Sequence, residues 1–198
     1  VRTEGPMVWT VTIIGDVPKG TAIMRSGAQV GDIVGITNYV GYAATGLGAL
    51  SYNLDGYHMT KVGHQRPDPQ IELGQQLRQL GIHSMNDISD GLGSELNEIA
   101  SASNVSIVIE EKAIPLHEET YELAKYLQTD PVDYALYGGE DFQLVFTAPK
   151  SLLSKLENLA GITIIGEVVS GPAQVQMVTP DKTIKTIEAK GYNHFHES

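Results

Sequence analysis

Apolar residues recur along this chain in two patterns, which together predict an alternation of strands and helices. Short runs rich in β-branched residues predict strands, and they cover residues 7–15, 33–37, 105–109, 162–169, 175–178 and 183–187. Apolar or small residues at helical spacing predict helices, and they cover residues 41–54, 67–80, 90–103, 117–127 and 150–159. We interpret the main part of the chain as an α+β fold, in which a mixed β-sheet is packed with helices.

Two further segments stand outside this alternation. The first strand is separated from the others, so we predict that residues 1–17 are a remnant strand of a preceding domain and that residues 18–198 form one C-terminal α/β domain. Such a strand would be an exposed edge, open to pairing with another chain. Residues 55–66 are polar and predict a loop, in which His58 and His64 are more often surface residues than ligands.

Polar side chains cluster at residues 86–90, where a short extended run turns into the helix that begins at about residue 90. Asp87 and Ser89 are two residues apart and therefore share one face of the strand end. Ligands of open α/β sheets bind there, next to helix N-termini, whose free amides suit phosphate. Gly91 and Gly93 omit side chains where a ligand could approach the backbone. The alternative, in which Ser89 or Asp90 only caps the helix, leaves the second acid and both glycines unexplained.

A second acidic group interrupts the apolar run of residues 134–146. Gly138 and Gly139 precede Glu140 and Asp141 in this run. One interpretation is a tight hairpin with the two glycines as its turn and both acids in solvent. The other is a backbone kink that places the acids beside a ligand. The residues alone leave both interpretations open.

Composition and charge limit the classes of function. The chain has 198 residues, of which 41% are hydrophobic, enough for one large domain with a core. A net charge of −11 argues against nucleic acid as a partner, since its backbone is bound by clustered Lys and Arg. A phosphorylated ligand could lie among the carboxylates if metal cations stood between them. The absence of cysteine fits a reducing, cytoplasmic setting, and no apolar run is long enough for a membrane span.

Common catalytic motifs, such as the phosphate loop and the serine-hydrolase and zinc-protease signatures, are missing from the sequence.

Two acidic motifs resemble those of thiamine-monophosphate kinase. They are Asp87-Ile88-Ser89-Asp90-Gly91-Leu92 and Tyr137-Gly138-Gly139-Glu140-Asp141-Phe142. Shorter matches to the same family lie at residues 25–32, 64–69 and 191–195. The resemblance runs in order over nearly the whole chain and covers only roughly the C-terminal half of the family's length.

This resemblance implies a fold, a reaction and a set of site residues. The fold would be that of the C-terminal domain in the aminoimidazole-ribonucleotide-synthetase-like superfamily of ATP-using enzymes. The reaction would be the ATP-dependent phosphorylation of thiamine monophosphate to thiamine diphosphate, with Mg²⁺ and without a catalytic nucleophile from the protein. The implied binding residues are Asp87 and Asp90 for Mg²⁺, Arg25 and Ser89 for ATP, and Glu140 and Tyr192 for the thiamine substrate, with Phe195 as the alternative to Tyr192.

The chain also departs from the family. Residues 41–46 replace an acidic glycine-rich run, which puts any polar contact from that turn in doubt. The family's N-terminal domain, which supplies most Mg²⁺-binding aspartates and the dimer interface, has no counterpart in this sequence. We therefore expect the chain alone to be inactive and the full-length protein to be a homodimer. Two alternatives are another ATP-using enzyme of the superfamily and a non-catalytic domain that binds a divalent cation.

Overall fold

The computed structural model describes residue 5 and residues 9–190. Its strands are β1 (Asp32–Thr37), β2 (Ser84–Ile88), β3 (Ser106–Glu110), β4 (Gln143–Pro149), β5 (Ile162–Val169), β6 (Gln174–Val178) and β7 (Ile184–Ile187). Its helices are α1 (Tyr42–Ser51), α2 (His58–Gln65), α3 (Ile71–Leu80), α4 (Leu92–Ser103), α5 (Glu118–Leu127), α6 (Pro131–Tyr137) and α7 (Leu153–Glu157). Among these described residues, no helix has the length and apolar character that crossing a bilayer requires.

The strands form one seven-stranded sheet in the order β2-β4-β1-β5-β3-β6-β7. The sheet is mixed because β3 and β6 run parallel, whereas every other neighbouring pair is antiparallel. The predicted α+β class is confirmed. In this order the end of β2 lies beside the beginning of β4, so segments that are distant in sequence become neighbours.

The central strand β1 is buried along its whole length, and its side chains feed two hydrophobic clusters. Val34 and Ile36 pack on one face of the sheet with Leu96 of α4. Ile33 packs in the other cluster with Leu77 of α3. Successive residues of a strand point to opposite faces, so helices on both sides bury the sheet. This rigid centre positions the ends of β1, β2 and β4, where the candidate site lies.

The strand predicted near the beginning of the chain is wrong over the residues that the structure describes. Residues 9–18 contain no strand or helix, and Trp9 and Ile14 are almost fully exposed. A β-branched run becomes a strand only when a neighbour accepts and donates its backbone hydrogen bonds. The division into residues 1–17 and 18–198 stays a prediction.

The polar loop predicted at residues 55–66 is also wrong, because α2 occupies most of it. The residue before α2 offers no capping side chain. The carboxylate of Glu119 in α5 caps the helix instead, accepting from the amide of Thr60 (2.8 Å) and the amide of Met59 (3.3 Å). Because this cap comes from another helix, the local sequence carries no sign of it.

The hairpin considered for residues 134–146 is wrong. Pro131 begins helix α6, and the Asp130 carboxylate caps it by accepting from the amide of Val132 (3.0 Å). Proline suits the first helical position because its missing amide hydrogen is not needed there. The run therefore divides into the end of α6 and strand β4, with Gly138 and Gly139 in the connection rather than in a hairpin turn.

Candidate active site

The two acidic motifs lie side by side beyond the end of the β2–β4 pair. Ile88 and Gln143 are the last paired residues of these strands. Past them, the amide of Phe142 donates to the carbonyl oxygen of Ile88 (2.9 Å), and the amide of Glu140 donates to that of Ser89 (2.8 Å). Backbone hydrogen bonds therefore hold Glu140 beside Ser89.

Glycines make this close approach possible. A Cβ added at Gly91 would lie 2.7 Å from the carbonyl oxygen of Leu136, and one at Gly93 would lie 2.9 Å from the same oxygen. A Cβ added at Gly139 would lie 2.5 Å from the carbonyl oxygen of Ser89. The space that Gly91 and Gly93 were predicted to leave for a ligand is thus occupied by the chain itself: by Leu136 at both glycines and, at Gly91, also by Tyr137 and Gly138 of the second motif.

A cavity of about 600 Å³ opens where the motifs meet. Its polar lining residues are His64, Ser89, Asp90, Tyr137 and Glu140. Asp87 lines an adjoining cavity of about 520 Å³, and Phe142 borders both. The structure therefore brings Ser89, Asp90 and Glu140 to one cavity and places Asp87 in the next one.

A buried glutamate that the sequence interpretation missed connects these residues. Glu95, in the first turn of α4, accepts hydrogen bonds from the hydroxyl of Ser89 (3.3 Å) and the amide of Asp90 (3.2 Å). Its other carboxylate oxygen accepts a hydrogen bond from the side-chain amide of Asn86. Glu95 thereby fixes the strand-to-helix turn that carries the first acidic motif.

Negative charge is concentrated around this turn. Burial raises the pKa of the Glu95 carboxyl above its ordinary value, and the carboxylates of Glu98 and Asp87 raise it further. Arg25 is the cation at this group: its Nε lies 3.0 Å from a carboxylate oxygen of Glu98 and 3.0 Å from the side-chain oxygen of Asn86. Arg25 is therefore held close to the first acidic motif, where it was predicted to bind ATP.

The donor set around Asp87 and Asp90 fits a magnesium ion that arrives with a ligand. Both side chains offer carboxylate oxygens, the hard ligands that Mg²⁺ prefers. Within the described ranges, no group of three or more His, Cys, Asp or Glu side chains could hold a metal ion. Mg²⁺ commonly takes one or two protein carboxylates and completes its shell with water and substrate phosphates. Asp87 and Asp90 each carry the type of donor that such an ion would need.

The second acid of the Gly-Gly-Glu-Asp motif is buried, contrary to the interpretation that placed both acids in solvent. Asp141 is only 4% exposed. Its two carboxylate oxygens accept hydrogen bonds from the amides of Gly41 (2.6 Å) and Ala43 (2.8 Å). Burial raises the pKa of Asp141 to about 6, although these hydrogen bonds act in the opposite direction. Glu140, its neighbour, stays exposed at the cavity.

The raised pKa of Asp141 predicts a distinct pH dependence of stability. In the unfolded chain this carboxyl ionises near its ordinary value of 3.8, whereas in the folded chain it ionises near 6. The folded state therefore binds more protons between these values, and its stability falls as pH rises through 6. Relative to Asp141→Asn, the wild-type free energy of unfolding should fall by roughly 2–3 kcal/mol between pH 4 and pH 7.

Denaturant unfolding of both proteins at pH 4, 5, 6 and 7 measures this difference. Asp55→Asn is the matched control, because it makes the same chemical change at an exposed position. Parallel stability curves for the wild type and Asp141→Asn would contradict the prediction.

Of the six predicted site residues, five lie at or next to this turn. Tyr192 and its alternative Phe195 lie outside the described residues. The interpretation missed Asn86, Glu95 and Asp141 as supporting residues and placed His64 on the surface of a loop. The sequence does not show which amides a buried carboxylate faces, since only the fold brings them together. The helical spacing of Glu95 relative to Leu92 and Leu96 could have suggested that it points inward.

The chain is similar in sequence to a known family and to curated proteins. The model of the family "AIR synthase related protein, C-terminal domain" matches residues 29–178. Thiamine-monophosphate kinase of Bacillus subtilis is 36% identical over 206 aligned residues, which cover 98% of this chain and 62% of that protein. The chain spans between about half and three fifths of the length of the curated relatives it matches.

Solved structures give the same result for the fold. The thiamine-monophosphate kinase of Stenotrophomonas maltophilia K279a matches with a TM-score of 0.75 and 31% identity, over 81% of this chain and 54% of that one. The structure of AaThiL complexed with AMPPCP and TMP also has a TM-score of 0.75, with 32% identity over 87% of this chain and 54% of that one. The predicted resemblance and the predicted fold are therefore both confirmed.

Proposed function

Since this chain belongs to the family of AIR synthase related proteins through their C-terminal domain, we propose that it is the C-terminal part of a thiamine-monophosphate kinase. The reaction would transfer the terminal phosphoryl group of ATP to thiamine monophosphate, giving ADP and thiamine diphosphate. One observation carries the proposal: Ser89, Asp90 and Glu140, from two motifs distant in sequence, line one cavity. A relative solved with AMPPCP and TMP supports the choice of ligands.

For this reaction the protein has to position the two substrates and neutralise the charge of their phosphates. Both reacting groups are anionic phosphates, and phosphoryl transfer between them needs little covalent participation by the protein. Asp87 and Asp90 would hold Mg²⁺, which neutralises phosphate charge when bound. The substrate's own phosphate oxygen is the attacking group, so no protein residue needs to act as a nucleophile.

The remaining residues would bind the two substrates. Ser89, oriented by its hydrogen bond to Glu95, and Arg25, oriented by Asn86 and Glu98, would contact the phosphates of ATP. Arginine suits this role because its planar guanidinium matches phosphate oxygens. Glu140 would accept a hydrogen bond from the aminopyrimidine of the thiamine substrate or face its cationic thiazolium ring. Tyr192 would pack against the same substrate.

Several finer statements belong to the same proposal. The cofactor would be Mg²⁺, the full-length protein would be a homodimer, and its location would be the cytoplasm. Because the chain spans 62% of the Bacillus subtilis relative, the activity is proposed for a full-length protein that carries this chain. For the 198-residue chain alone we propose no turnover.

A turnover assay tests the function. The full-length protein is incubated with ATP, Mg²⁺ and thiamine monophosphate, and ADP and thiamine diphosphate are separated by chromatography. We expect both products in equal amounts, no product with unphosphorylated thiamine, and none from the 198-residue chain alone. Failure to form thiamine diphosphate would overturn the proposal. Thermal stabilisation by a substrate of another enzyme in the superfamily, with ATP and Mg²⁺ present, would then identify the rival activity.

A further inference from the structure

The N-terminus of α1 has no cap of its own. Its N-cap residue is Gly41, which has no side chain and lies in the left-handed region at φ 72°. The first amides of a helix lack partners within the helix. Here the amides of Gly41 and Ala43 donate to the two oxygens of Asp141, a residue on the connection to β4. One buried carboxylate from a distant segment therefore closes the beginning of α1.

The connection that carries Asp141 has an unusual backbone. Glu140 (φ 66°) and Phe142 (φ 50°) both lie in the left-handed region without being glycine, a conformation that persists only where the surroundings enforce it. Hydrogen bonds from their amides to Ser89 and Ile88 supply two constraints. The carboxylate of Asp141 supplies the third, because it ties the residue between them to α1.

A neighbouring side chain holds the same connection. The side-chain amide of Gln143 donates to the carbonyl oxygen of Asp141 (3.3 Å). Its oxygen accepts hydrogen bonds from the hydroxyl of Thr37 (2.8 Å) and the side-chain amide of Asn38 (3.0 Å). The end of β1, the beginning of α1 and the connection before β4 thus form one hydrogen-bonded unit.

This unit determines the shape of the cavity that contains Glu140. Ala43 and Ala44, in the first turn of α1, line that cavity together with Glu140. Gly138 is packed so closely on this turn that an added Cβ would lie 2.5 Å from the Cβ of Ala44. Asp141 itself lines a different cavity, of about 350 Å³, which Ala43 also borders. A shift at the start of α1 would therefore move one wall of the Glu140 cavity without Asp141 touching its contents.

We propose that Asp141 is a positioning residue, whose carboxylate fixes Glu140 and the first turn of α1 in the geometry that binds the thiamine substrate. The inference rests on the proposed function, since that function makes Glu140 a substrate contact. It assigns Asp141 no contact with substrate. Asparagine cannot replace it fully, because its side chain has one acceptor oxygen and would turn an NH₂ group toward one of the two amides.

Steady-state kinetics of Asp141→Asn in the full-length protein test the inference. We expect the KM for thiamine monophosphate to rise about tenfold, equivalent to roughly 1.4 kcal/mol, with the KM for ATP unchanged and kcat within a factor of about three. Glu140→Gln should raise the same KM, since it alters the substrate contact itself. Asp141→Glu keeps the charge but displaces it by one methylene, so it should also raise this KM. This variant replaces Asp141→Asn in the test if the asparagine variant does not fold.

Asp130→Ala is the matched control. Asp130 caps α6 by accepting from the amide of Val132, so its loss should lower the melting temperature but leave the KM for thiamine monophosphate unchanged. An equal rise in this KM for Asp130→Ala and Asp141→Asn would reduce Asp141 to a structural role and overturn the inference. A wild-type KM in Asp141→Asn together with a raised KM in Glu140→Gln would also overturn it, while leaving the function intact. Only a wild-type protein without turnover would defeat the proposed function.

Discussion

Replacing Asp87 and Asp90 together by asparagine is expected to slow phosphoryl transfer by about 10³-fold in a full-length protein that carries this chain. Asparagine keeps the size of each side chain but removes the charge that would hold Mg²⁺. The anionic reactants would then meet with less of their repulsion neutralised. Steady-state turnover with ATP and thiamine monophosphate measures the loss, and calorimetric titration of ATP with Mg²⁺ present measures the accompanying loss of binding.

A second double variant distinguishes the loss of the site carboxylates from the change in net charge. Glu122→Gln with Glu157→Gln also removes two negative charges. Both residues are exposed, and neither lines any of the three cavities described above. Its turnover should equal that of the wild type. Full turnover by the Asp87 and Asp90 double variant would refute their role and favour a non-catalytic function for the first acidic motif.

Replacing Gly91 by alanine is expected to lower the free energy of unfolding by about 3–5 kcal/mol. Gly91 has φ 99° and ψ 147°, a conformation that residues with a Cβ rarely adopt. The added Cβ would also lie 2.7 Å from the carbonyl oxygen of Leu136 and 3.0 Å from the Cα of Tyr137. Because these contacts are backbone atoms, they cannot move aside without separating the two acidic motifs.

Gly81→Ala is the comparison variant, because Gly81 has ψ 44° where Gly91 has ψ 147° and its added Cβ meets no steric clash. Gly81 lies in the left-handed region at φ 80°, and no atom lies within 4 Å of an added Cβ. Its replacement should therefore cost only about 1–2 kcal/mol, the strain of the backbone alone. Denaturant unfolding of both variants gives the difference, and equal losses at the two positions would show that the motifs are not held together through Gly91.

Local patterns predicted most of the elements correctly. Strand β5 has the bounds that its apolar run predicts, and helices α3, α4 and α5 lie within their predicted ranges. These segments bury one face or both, so their apolar residues recur with the period of the helix or strand. The errors fall on three segments. One is the strand predicted near the beginning of the chain, where residues 9–18 contain no strand or helix. The others are α2, whose cap comes from Glu119, and α6, whose apolar end is followed so closely by β4 that one apolar run covers both.

For the candidate site, too, the sequence predicted some features and only the fold shows the others. The residue types in the two acidic motifs predicted a site for phosphorylated ligands and a cation, and their order along the chain predicted the family. Their meeting at one cavity depends on the strand order, which places β2 beside β4. Gly91 and Gly93 show this difference most clearly. The sequence indicated that side chains are omitted at these positions, and the fold shows that an added Cβ would clash with backbone atoms of the protein rather than with a ligand.

By itself, the sequence determined the α+β class, most helices and strands, and the chemical character of the site, because periodicity and residue type act locally. Only the tertiary structure decided that Glu95 and Asp141 are buried supports and that Asp87 faces a separate cavity from Glu140. The physical reason is that a buried carboxylate is stabilised by whichever amides surround it. For Asp141 those amides lie 98 and 100 residues away in the chain, beyond the reach of any local pattern.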